Sequence, residues 1–340
     1  MPGPSADDVL KLRGIATQYF TSRALYAMAA LDIADKLADG ARSVEELAAA
    51  AEAHAPSLYR IMRVLAAAGV FVEEDGRRFA NTPLSALLRN GVPGSLRDFV
   101  MLFGDETSWR SWEGILHALR TGEAPFEHIY GEKFFDYLQG HADAAAMFDR
   151  AMASASSTTN AAVAGAYDFS GLGTVVDVAG GTGSALCSIL AATPDLHGIV
   201  FDLPHVDERA RAFIAAQGLA DRCEFAGGSF FESVPSGAGA YFMKHILHDW
   251  GDEDCARILA VCRKAMDANA RLLVCERIVP PGNEPSSAKL IDLHMMMTNH
   301  GGKERTEREY RDLLSAAGFE LRRVVPTTTP WSVIDAMKNR

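Results

Sequence analysis

The stretch Asp177-Val178-Ala179-Gly180-Gly181-Thr182-Gly183 decides how this chain is read. The apolar run Thr174 to Val178 leads into it, as a strand buried on both faces would. Ser184 to Leu190 leads out of it with a helical pattern. Strand, glycine turn and helix together bring bare backbone close to a nucleotide-like ligand, because glycine removes the Cβ that would collide with it. Ala179 stands among the glycines, which implies a backbone φ below zero at that position.

The next apolar run, Gly198 to Phe201, ends in Asp202. An acid at the end of the second strand can accept hydrogen bonds from both hydroxyls of a ribose. From about residue 165 the chain alternates strand and helix, with strands expected at 174–178, 198–202, 223–227, 240–244, 270–276, 319–325 and 331–337. Only Thr327-Thr328-Thr329-Pro330 separates the last two, too little for a crossover helix, so they must form an antiparallel hairpin. The expected fold class is therefore α/β: a doubly wound, seven-stranded sheet with one antiparallel strand, whose ligands lie at the carboxyl ends of the strands.

Upstream, Ser43-Val44-Glu45-Glu46 has the form of a capping box, Pro56-Ser57 opens a further helix, and Phe71 to Phe79 reads as two strands around Asp75-Gly76. Helix, helix, helix, hairpin is a winged-helix plan. Residues 1–80 hold nine Lys or Arg against eleven Asp or Glu, so the segment lacks the basic stripe of a DNA reader. The Ala-rich stretch Ala24 to Ala38 has apolar positions on more than one face, which favours dimerisation. Residues 84–160 read as helical and aromatic-rich, a source of walls for a flat, apolar ligand; a polar seam at 154–160 precedes the α/β region.

The 340 residues are 48% hydrophobic and carry a net charge of −11, ample for two cores and unsuited to neutralising phosphates in bulk. No apolar run approaches a membrane span, the first eight residues lack the basic and apolar regions of a secretory signal, and five scattered cysteines read as reduced thiols. A cytoplasmic enzyme with no nucleic-acid or membrane partner is expected.

Three segments carry groups for proton chemistry. Lys244 ends the fourth α/β strand and His248-Asp249-Trp250 follows it; Glu276 ends the fifth strand; Glu304 lies in the glycine-hinged loop Asn299 to Thr306. A histidine met by one or two carboxylates is the arrangement of a general base held in one tautomer. Plainer readings exist: His248 as a packing or capping residue, and Glu304 paired with Lys303 or Arg305 on a solvated loop. His245, His248, Asp249 and Asp252 lack ligand spacing, so no metal is expected.

Five ordered motifs, Asp177–Gly183, Phe201–Val206, Gly227–Phe231, Lys244–Trp250 and Gly301–Thr306, resemble the plant caffeate/flavonoid-type O-methyltransferases and their bacterial small-molecule relatives across essentially the whole chain. The resemblance implies a Rossmann-like domain at 161–340 that binds S-adenosylmethionine (SAM), a winged-helix dimerisation domain at 1–95, and a helical connector at 96–160 that contributes to the substrate pocket. Residues matched to the cofactor are Asp177, Gly180, Gly181, Gly183, Asp202, Leu203, Ser229, Phe230, Lys244 and Ser156. His248 would be the base, with Glu276 and Glu304 beside it. Phe148, Met152, Ile291, His294, Met295, Asn299, Asp249 and Trp109 would line the acceptor pocket. Ser229 stands where the plant enzymes usually have Asp; it accepts from the adenine amine without charge, which implies looser recognition.

The implied activity is metal-free O-methylation of a phenolic hydroxyl on an aromatic small molecule of secondary metabolism, by a homodimer, with a neutral imidazole taking the proton. The alternatives are N-methylation of a heteroaromatic acceptor, a SAM-binding hydroxylase or decarboxylase, and a SAM-sensing winged-helix regulator.

Overall fold

The computed structural model of the protein describes residues 3–339, leaving aside the side chains of 155, 157 and 158. Two compact units divide the chain: Met1–Trp109 with His141–Ala155, and Arg110–Gly140 with Ser156–Arg340. The segment 96–160 expected as a single connector is shared between them.

In the first unit, β1 (Arg42–Ser43), β2 (Phe71–Glu74) and β3 (Arg78–Asn81) form a small antiparallel sheet in the order β1-β3-β2. Ser43 caps the helix Val44–Ala50, its hydroxyl accepting from Glu46 N–H while the Glu46 carboxylate accepts from Ser43 N–H, so the capping box forms as expected. Val44, Leu47, Leu58, Met62, Leu65, Phe71 and Phe79 close the core beneath the wing. The Ala-rich stretch Ala24 to Ala38 is not one helix: Tyr19–Ala30 ends at Leu31, and a left-handed Asp32 precedes the short turn Ile33–Lys36. The first helix, Ala6–Thr17, buries none of its residues, and Val9, Leu10, Leu12 and Ile15 are exposed.

The second unit holds β4 (Thr174–Val178), β5 (His197–Asp202), β6 (Cys223–Gly227), β7 (Ala240–Lys244), β8 (Arg271–Arg277), β9 (Phe319–Pro326) and β10 (Trp331–Lys338). Their order is β6-β5-β4-β7-β8-β10-β9, with β10 antiparallel to both neighbours and the other neighbouring pairs parallel. Every expected strand is present to within a residue or so. Period-two alternation sends Val175, Phe242, Leu273 and Cys275 into one core, and Val176, Val178, Tyr241, Met243, Leu272 and Val274 into the other. Each such side chain contributes about 1.5–3 kcal/mol when removed from water. The chain runs from β4 outward through β5 and β6, then returns to place β7 on the other side of β4. This reversal opens a crevice at the carboxyl ends of β4 and β7.

All five cysteines are buried and unpaired by disulfides. The boundary between the two units falls inside the polar seam expected at 154–160, between Ala155 and Ser156, although the helix Ala142–Ala166 continues through it. Among the described residues, no helix is long and apolar enough to cross a membrane.

Candidate active site

The glycine turn closes against β5. Ala179 and Gly180 N–H both donate to Phe201 O, at 2.7 and 3.3 Å. Ala179 has φ +57°, so the expectation of a negative φ was wrong: the residue sits in the left-handed region where glycine is the unstrained choice. Gly183, at φ +79°, is the N-cap of the helix Ser184–Ala192. A Cβ there would fall 2.5 Å from Val200, and one at Gly180 would fall 2.6 Å from the Asp177 carboxylate. These glycines are fixed by packing as well as by ligand approach.

Asp177 is itself buried beneath the turn. Burial lifts its carboxyl to about 7, against the pull of the Lys244 charge. Asp202 lies across the crevice: its Oδ2 accepts from Gly181 N–H at 2.8 Å and its Oδ1 from Leu203 N–H at 2.6 Å. Lys244 Nζ donates to Ser156 Oγ at 3.0 Å, and burial lowers the Lys244 pKa. After β6, Ser229 Oγ accepts from Phe231 N–H at 3.3 Å, and Phe230 packs against Phe231 and Trp250 with centroid separations of 4.8 and 5.9 Å. A turn stripped of Cβ atoms, a carboxylate hung on its backbone and an aromatic wall at the next strand end fit an adenosine bearing a polar tail.

One strand over, β7 ends in a sharp turn. His245 takes φ +62° and stacks on Trp331 at 3.7 Å; burial, with the charges of Lys244 and His248, holds its pKa well below the usual range. It is a packing residue. The following short turn Leu247–Asp249 carries His248 into a buried pocket of carboxylates. His248 Nδ1 lies 2.9 Å from Glu304 Oε1 and 3.9 Å from Glu276 Oε2, while Nε2 is 3.6 Å from Asp249 Oδ1. Glu276 Oε1 is fixed by the N–H groups of Ile246 and Leu247, at 2.9 and 3.0 Å. Thus the acids hold Nδ1 and leave Nε2 on the side of Asp249, whose Oδ1 accepts from Asn299 Nδ2 at 2.6 Å.

Burial alone would lower the His248 pKa, but Asp249, Glu276 and Glu304 together raise it to about 10. The surrounding carboxylates thus favour the charged form of the imidazole, which is the form a base reaches on accepting a proton. Burial, opposed by the His248 charge, lifts the Glu276 carboxyl to about 7, and likewise Asp249 to about 6. His294 is depressed to about 4 by burial and the His248 charge. The donor atoms of His248, Glu276 and Glu304 lie within 4.8 Å of one another, which is also the spacing of a cation site. Two cationic groups already occupy this cluster, since Arg277 comes to 3.6 Å from the same Glu304 oxygen that meets His248.

The structure brings His248, Glu276, Glu304, Asp249 and Asn299 together, with Ile291, His294 and Met295 on the adjoining helix Ser287–Thr298. Phe148, Met152 and Trp109 belong to the first unit, where Trp109 lies under the Arg23 guanidinium at 4.6 Å. Arg305, read from sequence as a partner for Glu304 on a solvated loop, is fully buried and bonded elsewhere. Its position beside Glu304, just after a glycine hinge, was the one available signal.

Residues 112–320, more than half of the chain, match the O-methyltransferase domain family, and residues 14–91 match the O-methyltransferase dimerisation domain. The chain belongs to the O-methyltransferase family. Its similarity to the phenazine O-methyltransferase PhzM of Lysobacter antibioticus is 42% identity over 320 residues, 94% of this chain and 93% of the relative. An N-methylating relative, the 8-amino-8-demethylriboflavin N,N-dimethyltransferase of Streptomyces davaonensis, is 33% identical over 315 residues, 92% of this chain and 90% of that one. An O-methyltransferase from neocarzinostatin biosynthesis, solved with SAM and 2-hydroxy-5-methyl naphthoic acid, superposes with TM-score 0.78 at 32% identity, covering 94% of this chain and 96% of the other. SAM is thus the donor for which the crevice at β4 and β5 is shaped, and the family's fold is the one built here.

Proposed function

We propose that this O-methyltransferase methylates a phenolic hydroxyl of a planar aromatic small molecule in secondary metabolism, with His248 as the proton acceptor. The His248–Glu304 contact at 2.9 Å supports this most directly, because it fixes the tautomer and turns Nε2 toward Asp249 and Asn299. When bound, SAM supplies a methyl group on a cationic sulfur, whose charge also opposes an imidazolium nearby. Asp202 would hold the ribose hydroxyls, Gly180 and Gly181 the methionine end, and Ser229 and Phe230 the adenine. Ile291, His294, Met295 and Asn299 would face the acceptor.

A phenol has a pKa of about 10, matched to the His248 value of about 10. Proton transfer from the acceptor oxygen to neutral His248 is favoured by Asp249, Glu276 and Glu304, which stabilise the resulting imidazolium. The same reactive pair forms when a phenolate meets the imidazolium. In either case the acceptor oxygen is held deprotonated beside a buried cation. The exposed Val9, Leu10, Leu12 and Ile15 of the first helix, within a chain matched to a dimerisation domain, support a homodimer.

The deciding experiment incubates wild type and His248→Ala with methyl-labelled SAM and a pool of hydroxylated and aminated aromatics, with products located by fragmentation. Oxygen-linked label from wild type alone is expected. Nitrogen-linked label would replace this reading with the activity named for the riboflavin-type relative.

A further inference from the structure

We propose that Arg305 is a positioning residue for the proton-accepting pair, holding the turn that carries His248 at a fixed distance from the segment that carries Glu304. The inference rests on the reading of His248 as base. Three chain segments, remote in sequence, supply His248, Glu276 and Glu304; Arg305 lies in the last of these, its side chain bonds to the first and its backbone carbonyl to the second. Its Nη1 donates to Leu247 O at 2.8 Å and to Lys303 O at 3.4 Å. Its Nη2 donates to Trp250 O at 2.9 Å and Asp252 Oδ1 at 2.7 Å, and Nε reaches the same Asp252 oxygen at 3.1 Å. The carbonyls of Leu247 and Trp250 bracket His248 and Asp249. The Arg305 carbonyl accepts from Val279 N–H at 3.0 Å, which ties it to the chain just beyond Glu276.

The neighbouring backbone closes the same joint. Lys303 N–H donates to His248 O at 2.8 Å. A Cβ at Gly302 would come within 3.0 Å of His248 O and 3.1 Å of Asp249 O, so the hinge passes with no room for a side chain. Stability does not explain this guanidinium well. Its side chain is 0% exposed, yet its one carboxylate partner, Asp252, is 58% exposed, and burying a charge against so weak a partner costs more than an apolar residue would. What a guanidinium offers here is a rigid planar fork whose donors reach three carbonyls and a carboxylate at set angles. Lysine keeps the charge and loses the fork.

The test compares Arg305→Lys and Arg305→Met with wild type, alone and combined with His248→Ala. Loss of registry by about 1 Å predicts a fall in kcat of about 10²-fold for each single variant. The dissociation constant for S-adenosylhomocysteine should not change, and the acid limb of the pH–kcat/KM profile should move as Glu304 leaves the imidazole. In the His248→Ala background the same substitutions should cost nothing further. If kcat stays within about twofold while only the melting temperature falls, or if the losses multiply in the double variants, the positioning role is wrong. Should both Arg305 variants fail to fold, Asp252→Ala, at a half-exposed position, frees one edge of the fork. It should lower kcat several-fold with the same non-additivity, and unchanged turnover would count against the proposal. Full turnover by His248→Ala alone would instead overturn the base assignment, whereas an inactive His248→Ala beside a fully active Arg305→Lys overturns only the role of Arg305.

Discussion

The two halves of the crevice are built by opposite means. At β4 and β5 the site is made of what is missing: glycines without Cβ atoms, backbone N–H groups, and one carboxylate hung on that backbone. At β7 and β8 it is made of charge forced out of water: a histidine, three carboxylates and two arginines, most of them buried. A site shaped by backbone should fail through geometry, and a site shaped by buried charge should fail through protonation.

Substitutions can separate the two. The largest effect should come from His248→Ala, which removes general-base assistance worth roughly 10²–10⁴-fold in kcat. Calorimetric affinity for S-adenosylhomocysteine should be untouched; if it falls in parallel, the two edges are not independent. Next comes pH. With His248 protonated below about 10, the reactive complex holds one proton fewer than the resting enzyme and a neutral phenol together. Raising pH from 7 should therefore raise kcat/KM about tenfold per unit until the lower of the two pKa values is reached. A more acidic phenol should bring the plateau down to its own pKa, and a flat profile between pH 7 and 9 would contradict the scheme.

Gly183→Ala should do the reverse of His248→Ala. Its φ of +79° and the Val200 methyl at 2.5 Å oppose a side chain, at a cost of about 2–4 kcal/mol. Donor affinity and melting temperature should both drop, while the pH profile keeps its shape. The smallest effect belongs to Ala179→Gly. Relief of the left-handed strain, about 1–2 kcal/mol, is partly offset by the greater freedom of an unfolded glycine. The melting temperature should hold or rise slightly; a clear fall would mean that the alanine methyl makes contacts worth more than the strain.

The same contrast explains what could be read from the sequence. The glycine turn, Asp202 and the strands around them are contiguous, and their spacing encodes them: period-two apolar runs, then a break. Even so, Ala179 misled, because alanine implies an ordinary φ and the turn's geometry overrides that preference. The proton-accepting cluster was legible only as separate hints at His248, Glu276 and Glu304. Nothing local told that three carboxylates would gather around His248 and raise it to about 10, or that Arg305 would turn inward to Leu247 and Trp250 rather than pair with its neighbour. Those facts belong to the tertiary meeting of residues some thirty to sixty positions apart. The polar run at 154–160 marked the boundary between the two units, but not its form: serine and threonine favour caps and turns, yet the helix Ala142–Ala166 runs straight through them.

The first helix, Ala6–Thr17, has 12 residues and buries none of them. A helix of that length is marginal in water by itself. Its order must then come from whatever covers Val9, Leu10, Leu12 and Ile15, and in a homodimer that is mass action. Amide protons of this segment should exchange faster on dilution, while those of β4 keep one rate at every concentration. The chain's opening turn would thus act as a gauge of how crowded the protein is with itself.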